Sequence, residues 1–170
     1  WQILNGNQTA CMFYWYTIKN KKALNQLKPT DFMVKTIVTS ELIAKICKKN
    51  NVECFDEYTG FKWIAYRIRE NEGKRQYIGG GEESFGYLAY AKVRDKDAPA
   101  SICLICEIAA WAKDQGKTLF DLLLDIYKEY GFQSETTINV VKPGKTGADE
   151  IKAMMENFRQ TPPTTIAGSQ

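Results

Sequence analysis

The sequence predicts an α/β fold with parallel strands, and three consecutive stretches predict it. Phe32-Met-Val-Lys-Thr-Ile-Val38 is an almost unbroken apolar and β-branched run, the pattern of a strand covered on both faces. Thr39-Ser40 then offers an N-cap, and Leu42, Ile43, Ile46 and Cys47 recur at helical spacing. A second strand pattern occupies 52–58. Strand, helix and strand in that order make the βα unit of a parallel sheet.

The other elements follow from local signals. Asn5 or Asn7 caps a helix that begins near Gln8, and its run from Ala10 to Tyr16 is apolar on nearly every side, so this helix is expected to be buried. Lys19 to Lys22 ends it in water, and Pro29-Thr-Asp31 is a turn. Glu41 suits the first turn of the second helix, which Lys48-Lys-Asn-Asn51 terminates. Thr59-Gly60 turns the chain into a helix with Phe61, Ile64, Ala65 and Ile68 on one face. Glu70 to Lys74 is a charged turn, Gly79 to Gly86 a polar loop, and 88–93 a short strand. Asp97 caps a long helix with Pro99 in its first turn; this helix carries Ile102, Cys103, Ile105, Cys106 and Ala109 and stops at Gly116. Thr118 and Asp121 form a capping box, Leu122, Leu123, Ile126 and Tyr127 face inward, and Gly131 is the C-cap. Alternation predicts a strand over 132–141, Pro143 to Gly147 a turn, and Ile151, Met154, Met155 and Phe158 a last amphipathic helix.

Composition narrows the functional classes. A net charge of +3, from 23 basic and 20 acidic residues, is too weak to imply nucleic acid or an anionic membrane as partner. There is no histidine, which removes the commonest general base and metal ligand. Five cysteines without scaffold spacing favour a reducing cytoplasm. The opening on Trp1 and the Thr161-Pro-Pro-Thr-Thr tail give the expectation of a piece cut from a longer chain.

The stretch with most chemistry is Tyr77-Ile-Gly-Gly-Gly-Glu-Glu-Ser-Phe-Gly-Tyr87. Glycines at 79, 80 and 81 permit positive φ and close approach of backbone to a ligand. Glu82, Glu83 and Ser84 supply acceptors and a hydroxyl donor, which suit sugar hydroxyls. Adjacent carboxylates would repel a phosphate. Cys103 and Cys106 have redox spacing but lie inside an apolar helix, so buried structural cysteines are expected. Gly144-Lys-Thr-Gly147 lacks the leading glycine of a P-loop and reads as a turn. Thr59-Gly60-Phe61-Lys62 sits at a strand-to-helix junction, where α/β sheets bind ligands.

Gly-Gly-Glu-Glu-Ser-Phe-Gly at 80–86 resembles the sugar-recognition loop of the α-D-phosphohexomutases, the phosphoglucomutase and phosphomannomutase family. Leu4-Asn-Gly-Asn-Gln-Thr-Ala10, Val34 to Thr39, Thr59 to Ile64 and Arg94-Asp-Lys-Asp97 match that family in the same order. The resemblance implies a three-layer α/β/α domain with a mixed, mainly parallel sheet. It assigns residues 1–131 to the third of four domains, the sugar-recognition domain, and 132–170 to a connecting strand, helix and linker toward the fourth. It implies that Glu82 and Ser84 bind sugar hydroxyls, that Thr59 and Gly60 line the cleft, and that Lys96 reaches the reacting or phosphate end. Hexose phosphate and hexose bisphosphate would be the ligands, with the other domains of the same chain as partners. No Asp-x-Asp-x-Asp-Arg run, phosphoserine loop or fourth-domain phosphate loop is present. No catalytic or metal-binding residue is therefore expected here, and Mg²⁺ is expected on an absent domain. Some relatives place a histidine near Gly86, which this chain cannot do. The alternative is a non-catalytic α/β sugar-binding or assembly module, which flanking coding sequence without serine, aspartate and arginine loops would favour.

Overall fold

Strands β1 (Asp31–Thr36), β2 (Glu53–Glu57), β3 (Gln76–Gly81) and β4 (Tyr87–Leu88) form one sheet in the order β2-β1-β3-β4. β1 pairs in parallel with β2 and β3, and β4 pairs antiparallel with β3. The structure is a computed structural model that describes residues 3–136, 140–166 and 168. The chain divides into two compact units, one ending at Glu135 and one starting at Thr136.

β1 is the central strand and is buried at every position, as its continuous apolar pattern requires. Its alternate residues serve two cores. Phe32 and Val34 join Tyr77, Leu88 and the Phe61, Ile64 and Ile68 face of α3 (Phe61–Glu70). Met33 joins Ile78 and Tyr87 on the opposite face. There α1 (Gly6–Ala23), α2 (Glu41–Lys49), α4 (Ala98–Asp114) and α5 (Leu119–Tyr130) pack together. One helix on one face and four on the other make the three-layer α/β/α arrangement. Leu42, Ile43 and Ile46 of α2 are almost fully buried, worth about 1.5–3 kcal/mol each.

The caps are local and match the pattern. Asn5 and Gln8 form a capping box on α1, and Thr118 and Asp121 form one on α5. Ser40 caps α2 and Asp97 caps α4. Gly131 closes α5 at φ 95°.

Several expectations are corrected. Gly79, Gly80 and Gly81 are not in a loop: they are the buried second half of β3. A Cβ at Gly79 would lie 2.4 Å from the Tyr87 hydroxyl, and one at Gly80 2.5 Å from the Val34 carbonyl oxygen. The glycines thus make room for tyrosine rings and a neighbouring strand, and a register shift at this point adds a bulge. Ile37 and Val38 lie in a turn beyond β1 and are exposed. The strand expected over 88–93 is only Tyr87–Leu88, because the chain bends back and Asp97 N–H bonds to the Tyr87 carbonyl at 2.9 Å. Cys103 and Cys106 are exposed, as is Ile102. α4 buries only Ile108 and Ala112 fully, with Leu104, Ile105 and Trp111 partly covered, so the two cysteines fall off its packed face. Of the strand expected over 132–141, residues 132–136, 140 and 141 form none, and 137–139 lie outside the described residues.

In the second unit, α6 (Gly144–Gln160) starts directly after Pro143, so Gly144 to Gly147 is its first helical turn. Gly147 is buried against the Lys142 backbone, which a Cβ would meet at 2.5 Å. Ile151 and Met154 are half-buried, while Met155 and Phe158 are exposed.

Candidate functional site at the carboxyl edge of the sheet

The carboxyl ends of β1, β2 and β3 run into three connections, at 37–40, 58–60 and 82–86. Parallel sheets bind ligands at this edge, because loops from neighbouring strands converge there.

Glu82 is the first residue after β3 and is buried, with 8% exposure. Its Oε1 accepts the Gly60 N–H at 2.8 Å, tying the 82–86 loop to the start of α3. Gly60 takes φ 108°, so a side chain there would be strained. The loop closes on itself through Glu82 N–H to the Gly86 carbonyl at 2.7 Å. A Cβ on Gly86 would meet the Lys96 stem at 2.8 Å and displace that side chain. Lys96 Nζ lies 5.0 Å from the Phe61 ring centre and 3.3 Å from Asp95 Oδ1. The Lys96 backbone N–H, and then its ammonium, hold the Asp95 carboxyl below the usual carboxylate range. Glu82, Gly60 and Lys96 are therefore gathered at one corner. Ser84 and Thr59 are exposed and make no side-chain hydrogen bond among the described residues. Phe85, at the loop tip, is exposed and strained at φ 64°.

The structure adds contacts that the sequence pattern does not reveal, and two residues, Lys35 and Tyr14, that it did not single out. Glu83 Oε2 lies 3.3 Å from both Thr36 and Thr39 Oγ1, which are 2.6 Å apart. Lys35, wholly buried, pairs with Asp56 at 2.6 Å and Glu41 at 2.8 Å. Burial opposes its charge, but the Asp56 and Glu41 contacts outweigh that and raise its pKa above the ordinary lysine value. The Tyr14 hydroxyl donates to the Val34 carbonyl at 2.5 Å and accepts the Gly81 N–H at 2.8 Å, which anchors α1 across the ends of β1 and β3. Beside Glu82 lies a mostly apolar pocket of about 200 Å³, walled by Phe13, Phe85, Tyr87, Ile102 and Ile105. A lysine inside an apolar strand and a tyrosine inside an apolar helix were the available signals, but neither reveals its partners.

The edge offers carboxylate acceptors and the ammonium groups of Lys96 and the buried Lys35, with no imidazole in the chain. Among the described residues no three His, Cys, Asp or Glu side chains are placed to hold a metal ion. No described helix is long and apolar enough to cross a membrane. The fold and edge define an α/β domain that gathers carboxylates, the Lys96 ammonium and an apolar pocket at the carboxyl end of a parallel sheet.

Comparison with known proteins makes the class specific. Residues 5–130 match the model of phosphoglucomutase/phosphomannomutase, alpha/beta/alpha domain III, and the chain belongs to that family. Phosphoglucomutases of Staphylococcus aureus strains bovine RF122 / ET3-1 and USA300 are each 38% identical over 164 residues. That alignment covers 96% of this chain, and the chain spans only 29% of those relatives' length. A Thermus thermophilus structure described as a phosphomannomutase superposes with TM-score 0.62 at 19% identity, covering 76% of this chain and 26% of its own. Paramecium pp63/parafusin, a phosphoglucomutase in its open form, gives 0.60 at 17% identity, covering 93% and 27%. These two share the fold.

Proposed function

We propose that this chain is the sugar-recognition part of a phosphohexomutase that interconverts hexose 1-phosphate and hexose 6-phosphate through a bisphosphate. The observation that carries the reading is the Glu82 carboxylate, held by the Gly60 N–H at the ligand-binding edge of a family member. A carboxylate with one oxygen fixed by the backbone is oriented before ligand arrives, and its second oxygen, unbonded among the described residues, can accept a sugar hydroxyl. Ser84, exposed on the same loop, supplies the second hydroxyl contact. Thr59 and Gly60 line the cleft, and Lys96 serves the phosphate end, where an ammonium suits an anion.

This division of labour fits the chemistry. The two phosphates of the bisphosphate must exchange places, so contacts to the central hydroxyls serve both orientations. The phosphoryl donor, and the Mg²⁺ that neutralises the transferring group, belong to parts of the enzyme outside these 170 residues. The chain alone then binds hexose phosphate without turning it over. The reading places the enzyme in the cytoplasm.

The test is Glu82→Gln in a longer enzyme that carries this segment. Loss of a charge-assisted bond of about 1.5–3 kcal/mol lowers kcat/KM roughly 10- to 150-fold. Both reaction directions fall together. Unchanged kinetics in both directions would remove the substrate role of this loop.

A further inference from the structure

We propose that Lys35 is a positioning residue: its ammonium fixes the turn at 36–40, and that turn holds Glu83 and with it the adjacent Glu82. The substrate role of Glu82 rests on the proposed function; the mechanical link does not.

Four oxygens surround Lys35 Nζ. Two belong to the Asp56 and Glu41 carboxylates, at 2.6 and 2.8 Å. Two are main-chain carbonyls, of Thr39 at 3.3 Å and Thr36 at 3.4 Å. The ammonium thus holds the backbone of the two residues whose hydroxyls both meet Glu83 Oε2. On the far side of the turn, Ser40 N–H donates to Asn7 Oδ1 of α1 at 2.9 Å. The turn is pinned by main-chain contacts on both sides, which leaves its two threonine hydroxyls directed to the loop.

Glu83 is also held from the α1 side. A Cβ on Gly6 would lie 1.6 Å from the Glu83 carbonyl oxygen, so the helix backbone abuts the loop backbone. The loop is therefore gripped at Glu83 from two directions, and Glu82 then reaches Gly60.

A buried ammonium is costly unless paired, and apolar substitutes for buried ion pairs are often neutral or stabilising. The carboxylates of Asp56 and Glu41 are about half exposed, at 48% and 63%, so water can satisfy them without Lys35. Stability alone gives little reason for a lysine in this central strand. Geometry at the carboxyl edge gives one.

The experiment uses the ¹⁵N-labelled chain and reads hydrogen-exchange protection of the Gly60 amide, which Glu82 Oε1 shields. Lys35→Met and Glu83→Ala should each lower that protection about tenfold, as expected for one lost local constraint. The double variant should lose no more than the larger single loss, because both changes cut one relay. Glu83→Gln, which keeps an acceptor, should retain protection. Core amides away from the turn, such as Ile108 of α4, should change less than Gly60. Unchanged Gly60 protection in Lys35→Met, an equal loss at every amide, or multiplied losses in the double variant would overturn the proposal. If Lys35→Met does not fold, the paired change Thr36→Val and Thr39→Val severs the relay with Lys35 intact, and unchanged Gly60 protection there would refute it. Titration of the unmodified chain with glucose 1-phosphate separates the two claims: Gly60 protection that follows the relay without a sugar response supports positioning by Lys35 and counts against the substrate reading alone.

Discussion

Gly80→Ala separates a glycine required by internal packing from one required by ligand approach. The new Cβ would sit 2.5 Å from the Val34 carbonyl oxygen and 2.8 Å from the Tyr77 hydroxyl. The first is backbone of the central strand and cannot swing away. The second is committed to the Leu88 carbonyl at 2.8 Å, a side-chain bond that supplements the pairing of β3 with β4. Overpacking of this kind costs about 1–3 kcal/mol. Weakening the Tyr77 bond adds about 1 kcal/mol. The stiffer unfolded chain returns about 0.4–1 kcal/mol. The net loss is about 1–3.6 kcal/mol, a large share of the roughly 5–15 kcal/mol that holds a domain folded. With a urea slope of about 2 kcal/mol/M, the midpoint falls by about 1 M. Gly73→Ala is the control: at φ 72° with nothing within 4 Å of its Cβ, it bears only the left-handed backbone penalty, about 1–2 kcal/mol, less the same unfolded-state gain. Urea denaturation of both variants of this chain decides the matter. A Gly80→Ala midpoint at or above that of Gly73→Ala would refute the packing argument. Loss of hexose-phosphate affinity at full stability would return this glycine to the ligand.

Other consequences are as direct. Gly6→Ala should force the 82–86 loop away from α1, lowering stability by about 3 kcal/mol and removing Gly60 amide protection; a wild-type urea midpoint would contradict the 1.6 Å clash. Lys35 has a raised pKa, so its stabilisation is complete below the ordinary lysine value of about 10.4 and is lost as pH rises through the higher folded-state value. The stability difference between the unmodified chain and Lys35→Met should therefore be flat from pH 7 to 10 and change only above that, as urea midpoints across the range would show. Ellman's reagent should label exposed Cys103 and Cys106 in the native chain, and Cys11 and Cys47 only in denaturant. Burial pushes the Cys11 thiol up to about 12, which further slows its reaction; two slow sites on α4 would mean that its outer face is covered.

What the sequence determined by itself is what depends on near neighbours along the chain. Asn5 with Gln8, and Thr118 with Asp121, satisfy the first N–H groups of their own helices, so a spacing of three suffices to read them. The alternation of βα units, the buried run from Ala10 to Tyr16 and the covered strand at 32–36 were legible for the same reason: periodicity reports which face is apolar. Glu82 and the Thr59-Gly60 junction were legible as ligand-binding candidates from residue chemistry and position, while their particular roles, and that of Lys96, came from family resemblance; the fold brings Glu82, Gly60 and Lys96 to one corner. Tertiary structure alone decided what surrounds each group. The residues after Ile78 pair as strand with β1 and β4, and they are glycine because Tyr77, Tyr87 and the Val34 carbonyl occupy the space that side chains would need. Cys103 and Cys106 are exposed because α4 packs along Leu104, Ile105, Ile108 and Ala112, a choice made by α1 and α5 and not by the helix's own composition. Lys35 and Tyr14 look like flaws in apolar segments until the fold places carboxylates and main-chain groups from distant elements around them. A buried polar atom is tolerated only with partners, and those partners lie up to 67 residues away for Tyr14, beyond the reach of any local pattern.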